Sequence, residues 1–150
     1  MGGKYAFIMM VQSKWWNEFR LPQRNPVQSY VQTGMAPPKE ASLILFYVTK
    51  PVGEVAGYAE FIERKTGDAE KLWNEYGSES VLYSKAKYDE YLGGKKKVSI
   101  IRFKGLHVAS KPIPLSNVLL LLGMKRLSRK GFYVDKETAD RLIELMECRA

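Results

Sequence analysis

At 150 residues and 17.2 kDa, with 45% hydrophobic and 12% aromatic residues, the chain has the length of one domain and the apolar content of a globular one, which excludes a disordered or low-complexity segment. A single cysteine, Cys148, and a single histidine, His107, exclude a disulfide framework and a multi-Cys/His zinc site, and no spacing calls for a metal or a cofactor. The net charge of +8, from 24 Lys and Arg against 16 Asp and Glu, points to an anionic partner.

The apolar run over residues 5–11 is too short to span a bilayer, and no small-residue cleavage site follows it. It reads as a first strand, residues 5–12, of a cytoplasmic protein with no membrane partner. The strand runs into SKWWNEFR, where Ser13 reads as the N-cap of a short helix. Trp15, Trp16 and Phe19 are too crowded to share one narrow stripe, so at least one indole is expected at a surface or pocket edge. In LPQRNPVQSYVQTG, Asn25 and Pro26 form a cap and first-turn pair, and Val27, Tyr30 and Val31 fall at i, i+3 and i+4. This spacing predicts a short helix closed by Gly34, followed by a loop over 35–40 with Pro37 and Pro38.

The stretch SLILFYVTKPVGEVAGYAEFIE is the centre of the chain. Residues 42–49 are apolar enough for a strand buried on both faces, Lys50, Pro51, Val52 and Gly53 make a turn, and a second strand covers 54–63. In that second strand Val55, Gly57, Ala59 and Phe61 share one face, so Gly57 and Ala59 mark a close approach by another segment or a ligand.

Gly67 and Asp68 then cap a helix with Ala69, Leu72, Trp73 and Tyr76 as its stripe, which assigns Trp73 to the core. Gly77 ends it. Ser84 starts another, with Tyr88, Tyr91 and Leu92 on one face and Gly93 and Gly94 as the stop. Lys95, Lys96 and Lys97 lead into VSIIRFKGLHVA, a long strand whose alternation turns Arg102 and Lys104 the same way as Ile100. Ser116 or Asn117 caps a short, wholly buried helix within LSNVLLLLG. A basic loop, a short strand over 132–134 and a last helix capped by Asp135 complete the chain. The order β, α, α, β, β, α, α, β, α, β, α, with no repeat or linker, predicts one α+β domain over 1–150 around a small mixed barrel.

Charge is distributed unevenly. Between Tyr91 and Val134 there is no acidic residue, while Lys95, Lys96, Lys97, Arg102, Lys104, Lys111, Lys125, Arg126, Arg129 and Lys130 are all basic. Clustered cations of this kind suit a polyanion, because neutralising phosphates releases condensed counterions. A solvated, ion-rich surface explains the total charge but not an acid-free run of this length.

The run AFIMMVQSKWW, QRN before the next element, LILFYVTKPVGEVAGYAEF, a basic strand and a terminal aromatic strand with a helix together resemble the PUA-like superfamily. Its EVE, YTH and ASCH domains are the nearest, and the chain is similar to an archaeal family of unknown function. The hairpin carries most of the resemblance: Leu45, Phe46 and Tyr47, then Val55, Ala56, Gly57, Tyr58, Ala59 and Glu60. The resemblance implies a pseudobarrel that binds RNA (tRNA, rRNA or a modified nucleotide) in a pocket beside the first strand. It places Ser13 and Lys14 at that pocket, Trp15 or Trp16 as a stacking wall, Arg24 and Asn25 before the next element, and Tyr47 on the strand. Such residues suit the task, since indoles stack a splayed base, Asn and Ser bond its edge, and cations hold phosphate.

Two departures narrow this. No later tryptophan beyond Trp73 is present to close a methyl-base cage, and Gly34 to Glu40 lacks the Lys-Thr pairing of ASCH amidohydrolases. Three readings remain open. The first is a non-catalytic RNA-binding module whose anionic partner lies along Arg102, Lys104, Lys125, Arg126, Arg129 and Lys130. The second is a small hydrolase of a modified nucleoside, with Lys14 or Lys39 as an activating base beside Glu60. The third is a protein-interaction domain that docks an acidic partner.

Overall fold

The computed structural model describes residues 4–21, 26–80, 82 and 84–147. Within them, β1 (Ala6–Val11), β2 (Val27–Thr33), β3 (Leu43–Val48), β4 (Glu54–Asp68), β5 (Lys97–Pro114) and β6 (Phe132–Val134) form one sheet in the order β2-β5-β4-β3-β1-β6. The helices are α1 (Ser13–Phe19), α2 (Ala69–Tyr76), α3 (Lys85–Leu92), α4 (Leu115–Leu122) and α5 (Lys136–Met146), with a 3-10 turn at Gly77–Glu79. The class is mixed α+β, as expected. No helix among the described residues is long and apolar enough to cross a membrane.

The unbroken apolar runs of the first strand and the central hairpin follow from where those strands lie. β1 pairs in parallel with β3, from Ala6 opposite Leu43 to Val11 opposite Val48, and both are inside the sheet. Phe7, Met9 and Val11 with Ile44, Phe46 and Val48 face one core. Ala6 and Ile8 with Leu45 and Tyr47 face the other. A strand covered on both sides has no solvent face to keep polar. Trp16 and Phe19 of α1, Leu72 of α2 and Tyr88 and Leu92 of α3 complete the first core; Val118 of α4 and Ala139, Leu142 and Met146 of α5 complete the second.

Three of the expected helix starts are closed by the predicted side chains. Asp68 accepts from the Lys71 N–H at 3.0 Å, Ser84 from Lys87 at 3.2 Å and Asp135 from Thr138 at 2.8 Å. Gly57 also behaves as expected of a close approach, since a Cβ there would come within 2.7 Å of Trp16 and press on the His107 carbonyl.

Four expectations are corrected. The helix predicted after Asn25 is β2, antiparallel to β5 from Val27 opposite Lys104 to Thr33 opposite Val98. Gln28, Ser29, Tyr30 and Val31 are consecutively buried, and a strand covered on both faces shows no alternation by which to recognise it. Asn25 itself, with Arg24, lies outside the described residues, as does Cys148. The barrel is an open sheet: among the described residues β2 and β6 are its two edges and no pairing joins them. It bends through the β4–β5 ribbon, whose register shifts between Val55 and Gly57, Tyr58 and Glu60, and Phe61 and Glu63. The helix α4 is not wholly buried, with Leu120 81% exposed, and it starts after Pro114 rather than from a Ser116 or Asn117 cap. Finally, Gln12 precedes α1 as its cap residue and Ser13 is its first helical residue.

Candidate nucleic-acid interface

The turn of the β3–β4 hairpin and the start of α4 are tied together, because the Leu115 N–H donates to the Gly53 carbonyl at 3.0 Å. Beside this junction opens a cleft of about 540 Å³. Met10, Leu115, Leu119 and Leu127 give it apolar walls, and Tyr47, Thr49 and Ser128 add hydroxyls. Lys50, Lys125, Arg126 and Arg129, all exposed, set four cations around it, and none of the residues lining it is acidic.

Tyr47 reaches this face by the alternation of β3, and the hairpin is irregular beside it. Phe46 pairs with Gly57 but Tyr47 pairs with Val55, so one residue of β4 is skipped beside it. The ring is 6% exposed, and the hydroxyl sits next to the hairpin turn, 3.6 Å from where a Cβ on Gly53 would be. Burial pushes the phenol's pKa above its ordinary value, so the group is a protonated donor at neutral pH. It makes no hydrogen bond with any described residue. A hydroxyl at the wall of a cleft can bond to what enters the cleft.

The basic loop is held at both ends by glycines. Gly123 ends α4 at φ +66°, and the Met124 N–H donates back to the Leu119 carbonyl at 3.0 Å. Gly131, at φ +78°, seats the other end so closely on β1 that a Cβ would meet Phe7 and the Ile8 carbonyl. Within the loop the Lys130 N–H donates to Ser128 Oγ at 3.3 Å. That bond occupies an acceptor lone pair of Ser128 and leaves its proton to donate elsewhere.

The structure therefore brings Tyr47, Lys125, Arg126 and Arg129 of the expected site together, with exposed Lys130 next in the chain. The others lie elsewhere. Trp16 is 4% exposed and packs 5.3 Å from Phe46, on the sheet face opposite Tyr47. Trp15 is half-buried, edge-on to Tyr91 at 6.2 Å, with the Lys14 ammonium 4.7 Å from its ring; Ser13 is partly buried beside them. Arg102 is held by Glu79 at 2.8 Å and by Glu63, and its guanidinium lies 4.8 Å over Tyr76. The hydrogen bond it donates to Glu79, then that to Glu63, raises its pKa further, so its charge is spent inside the protein. Lys104 is exposed on β5 opposite Glu60. Lys14, Lys39 and Glu60 are exposed, none lines the cleft, and Lys39 uses its backbone N–H on the Tyr133 hydroxyl at 3.1 Å. No group of three or more His, Cys, Asp or Glu among the described residues is placed to hold a metal ion.

Sequence reasoning missed Lys50, Thr49 and Ser128. Lys50 and Thr49 follow Tyr47 into the hairpin turn, and Ser128 lies inside the basic loop, so proximity in the chain to two recognised features was the available signal.

No protein-family model matches the chain. A stretch of 90 residues, 60% of the chain, is 28% identical to the ATP synthase subunit alpha of Ureaplasma parvum serovar 3, and it spans 11% of that protein. The fold as a whole is similar to that of ASCH from Zymomonas mobilis. The crystal structure of its serine-to-alanine mutant superposes with a TM-score of 0.78 and 20% identity over 97% of this chain and 99% of that one. A tyrosine-to-phenylalanine mutant gives 0.77 and 21% over 95% and 99%. The ASCH structure itself gives 0.75 and 21% over 93% and 94%. What these proteins share with this chain is the fold.

Proposed function

We propose that the protein is an RNA-binding module that takes one nucleotide of a single strand into the cleft beside Tyr47. The observation that carries this reading is an apolar cleft that Tyr47, 6% exposed and without a hydrogen bond to any described residue, lines together with four cations and no acid. Apolar walls and an aromatic ring receive a base, and Lys50, Lys125, Arg126 and Arg129 neutralise the phosphates on either side of it. Support comes also from the structural neighbours: two of them are mutant proteins, one with a tyrosine and one with a serine replaced, and this cleft presents Tyr47 and Ser128. The PUA-like character of the fold and RNA as the partner belong to the same reading.

The test is the anisotropy of a labelled single-stranded RNA titrated between about 50 and 200 mM salt. Four neutralised phosphates give a log–log slope of about −3 on a single strand. Replacing Lys125, Arg126 and Arg129 by alanine together brings the slope close to −1. A flat salt response of the unaltered protein, or a triple variant that binds as it does, overturns the proposal.

A further inference from the structure

A second concavity adjoins the cleft. It is a hollow of about 390 Å³ lined by Met124, Arg126, Leu127, Ser128 and Arg129. Residues 126–129 line the cleft as well, so this stretch of the basic loop is the boundary that the two spaces have in common. Each space has an apolar part of its own: Met10, Leu115 and Leu119 belong to the cleft and Met124 to the hollow, with Leu127 shared. Neither lining contains an acidic residue. The boundary itself is cationic, since Arg126 and Arg129 are exposed along it with the Ser128 hydroxyl between them in the chain. The Met124 N–H, bonded to the Leu119 carbonyl at 3.0 Å, keeps the hollow against the end of α4.

Apolar, cationic, apolar is the order of groups that matches base, phosphate, base along a single strand. A base in each space lays the phosphodiester that joins them across Arg126 and Arg129, whose guanidiniums hold phosphate by paired N–H donors. A plain basic patch has no such order, and each added phosphate then contributes the same increment. The two volumes, about 540 and 390 Å³, are both of the size that small ligands fill. A flexible thioether such as that of Met124 adapts to any flat ring, so the hollow serves position rather than base identity. We infer that the cleft and the hollow take two successive nucleotides of one strand, so that the unit bound is a dinucleotide step. This inference rests on the reading of the cleft as an RNA site.

Two of the six methionines report the spaces separately, because Met10 lines only the cleft and Met124 only the hollow. The experiment titrates the protein, isotope-labelled at its methionine methyls, with adenosine monophosphate and with 5′-phosphorylated diadenylate, and assigns the two resonances by Met10→Leu and Met124→Leu. Affinities for adenylates of one to four nucleotides are measured beside it at about 200 mM salt, where gains from phosphate alone are small. The mononucleotide is expected to shift the Met10 resonance, and the dinucleotide to shift both. Affinity is expected to rise about tenfold from one nucleotide to two and about twofold for each one after that. A dinucleotide that shifts Met10 alone, or a ladder of equal steps, overturns the two-nucleotide unit and leaves the RNA reading standing. If no adenylate shifts either resonance, both the inference and the reading beneath it are overturned.

Discussion

Phe46 and Tyr47 are neighbours in the chain with opposite duties, and the period-two alternation of β3 is what separates them. Phe46 packs among Phe19, Phe103 and Trp16 at centroid distances of 5.2–5.7 Å, while Tyr47 lines the cleft on the other side. Gly57, opposite Phe46, is the space into which the Trp16 indole fits. Gly57→Ala inserts a methyl against Trp16 and against backbone that does not yield, so it is expected to destabilise the protein by about 1–3 kcal/mol in urea denaturation. Arg102 answers a different question. Its two carboxylate partners lose their cation in Arg102→Ala, which should lower stability by about 1–3 kcal/mol. RNA affinity of that variant should stay within about twofold of the unaltered protein, because the charge it removes is already neutralised within the fold. A large fall in affinity at unchanged stability would return Arg102 to the binding surface. The residue types were legible in the sequence; their destinations were not, since whether an indole beside a strand turns to a cleft or to a phenylalanine depends on the partner strand.

Elements with a mechanism written into them were readable. Asp68, Ser84 and Asp135 cap the helices they were expected to cap, each by a short local bond that needs no tertiary information. Asp135 carries a pH signature. Its bonds to Thr138 lower its folded pKa below the ordinary value, so the stability it contributes is full above about pH 4 and is lost as pH falls through the depressed value. Asp135→Ala is therefore expected to lower Tm at neutral pH and to match the unaltered protein at about pH 2, a convergence that thermal melts across the acid range would detect. β2 was unreadable for the opposite reason. Val27, Tyr30 and Val31 satisfy a helical spacing, and consecutive burial on β2 removed the period-two signal that would have competed with it. α4 misled because four leucines in a row imply full burial, whereas one of them, Leu120, is left in solvent.

At the scale of the molecule, the acid-free run announced a cationic surface but not its division. β5 carries its first lysines to one end of the β4–β5 ribbon, and the chain delivers Lys125, Arg126 and Arg129 to the other, beside the hairpin turn. The meeting of that loop with Tyr47 depends on Gly131 resting on β1 and on Leu115 bonding Gly53, contacts between segments far apart in sequence. No local pattern encodes such meetings, which is why half of the cleft was legible only as separate pieces.

The sheet order also has a temporal meaning. Of the six strands β1 is made first, yet its outer neighbour is β6, the last of them. At synthesis rates of about 5–20 residues per second, the roughly 120 residues between them occupy about 6–24 seconds on the ribosome. Throughout that interval one border of a wholly apolar strand stays open to other nascent chains, and only the arrival of β6 seals it. Losing the roughly twenty residues from β6 onward would thus do more than remove a helix: it would leave the newborn protein with a permanently adhesive flank.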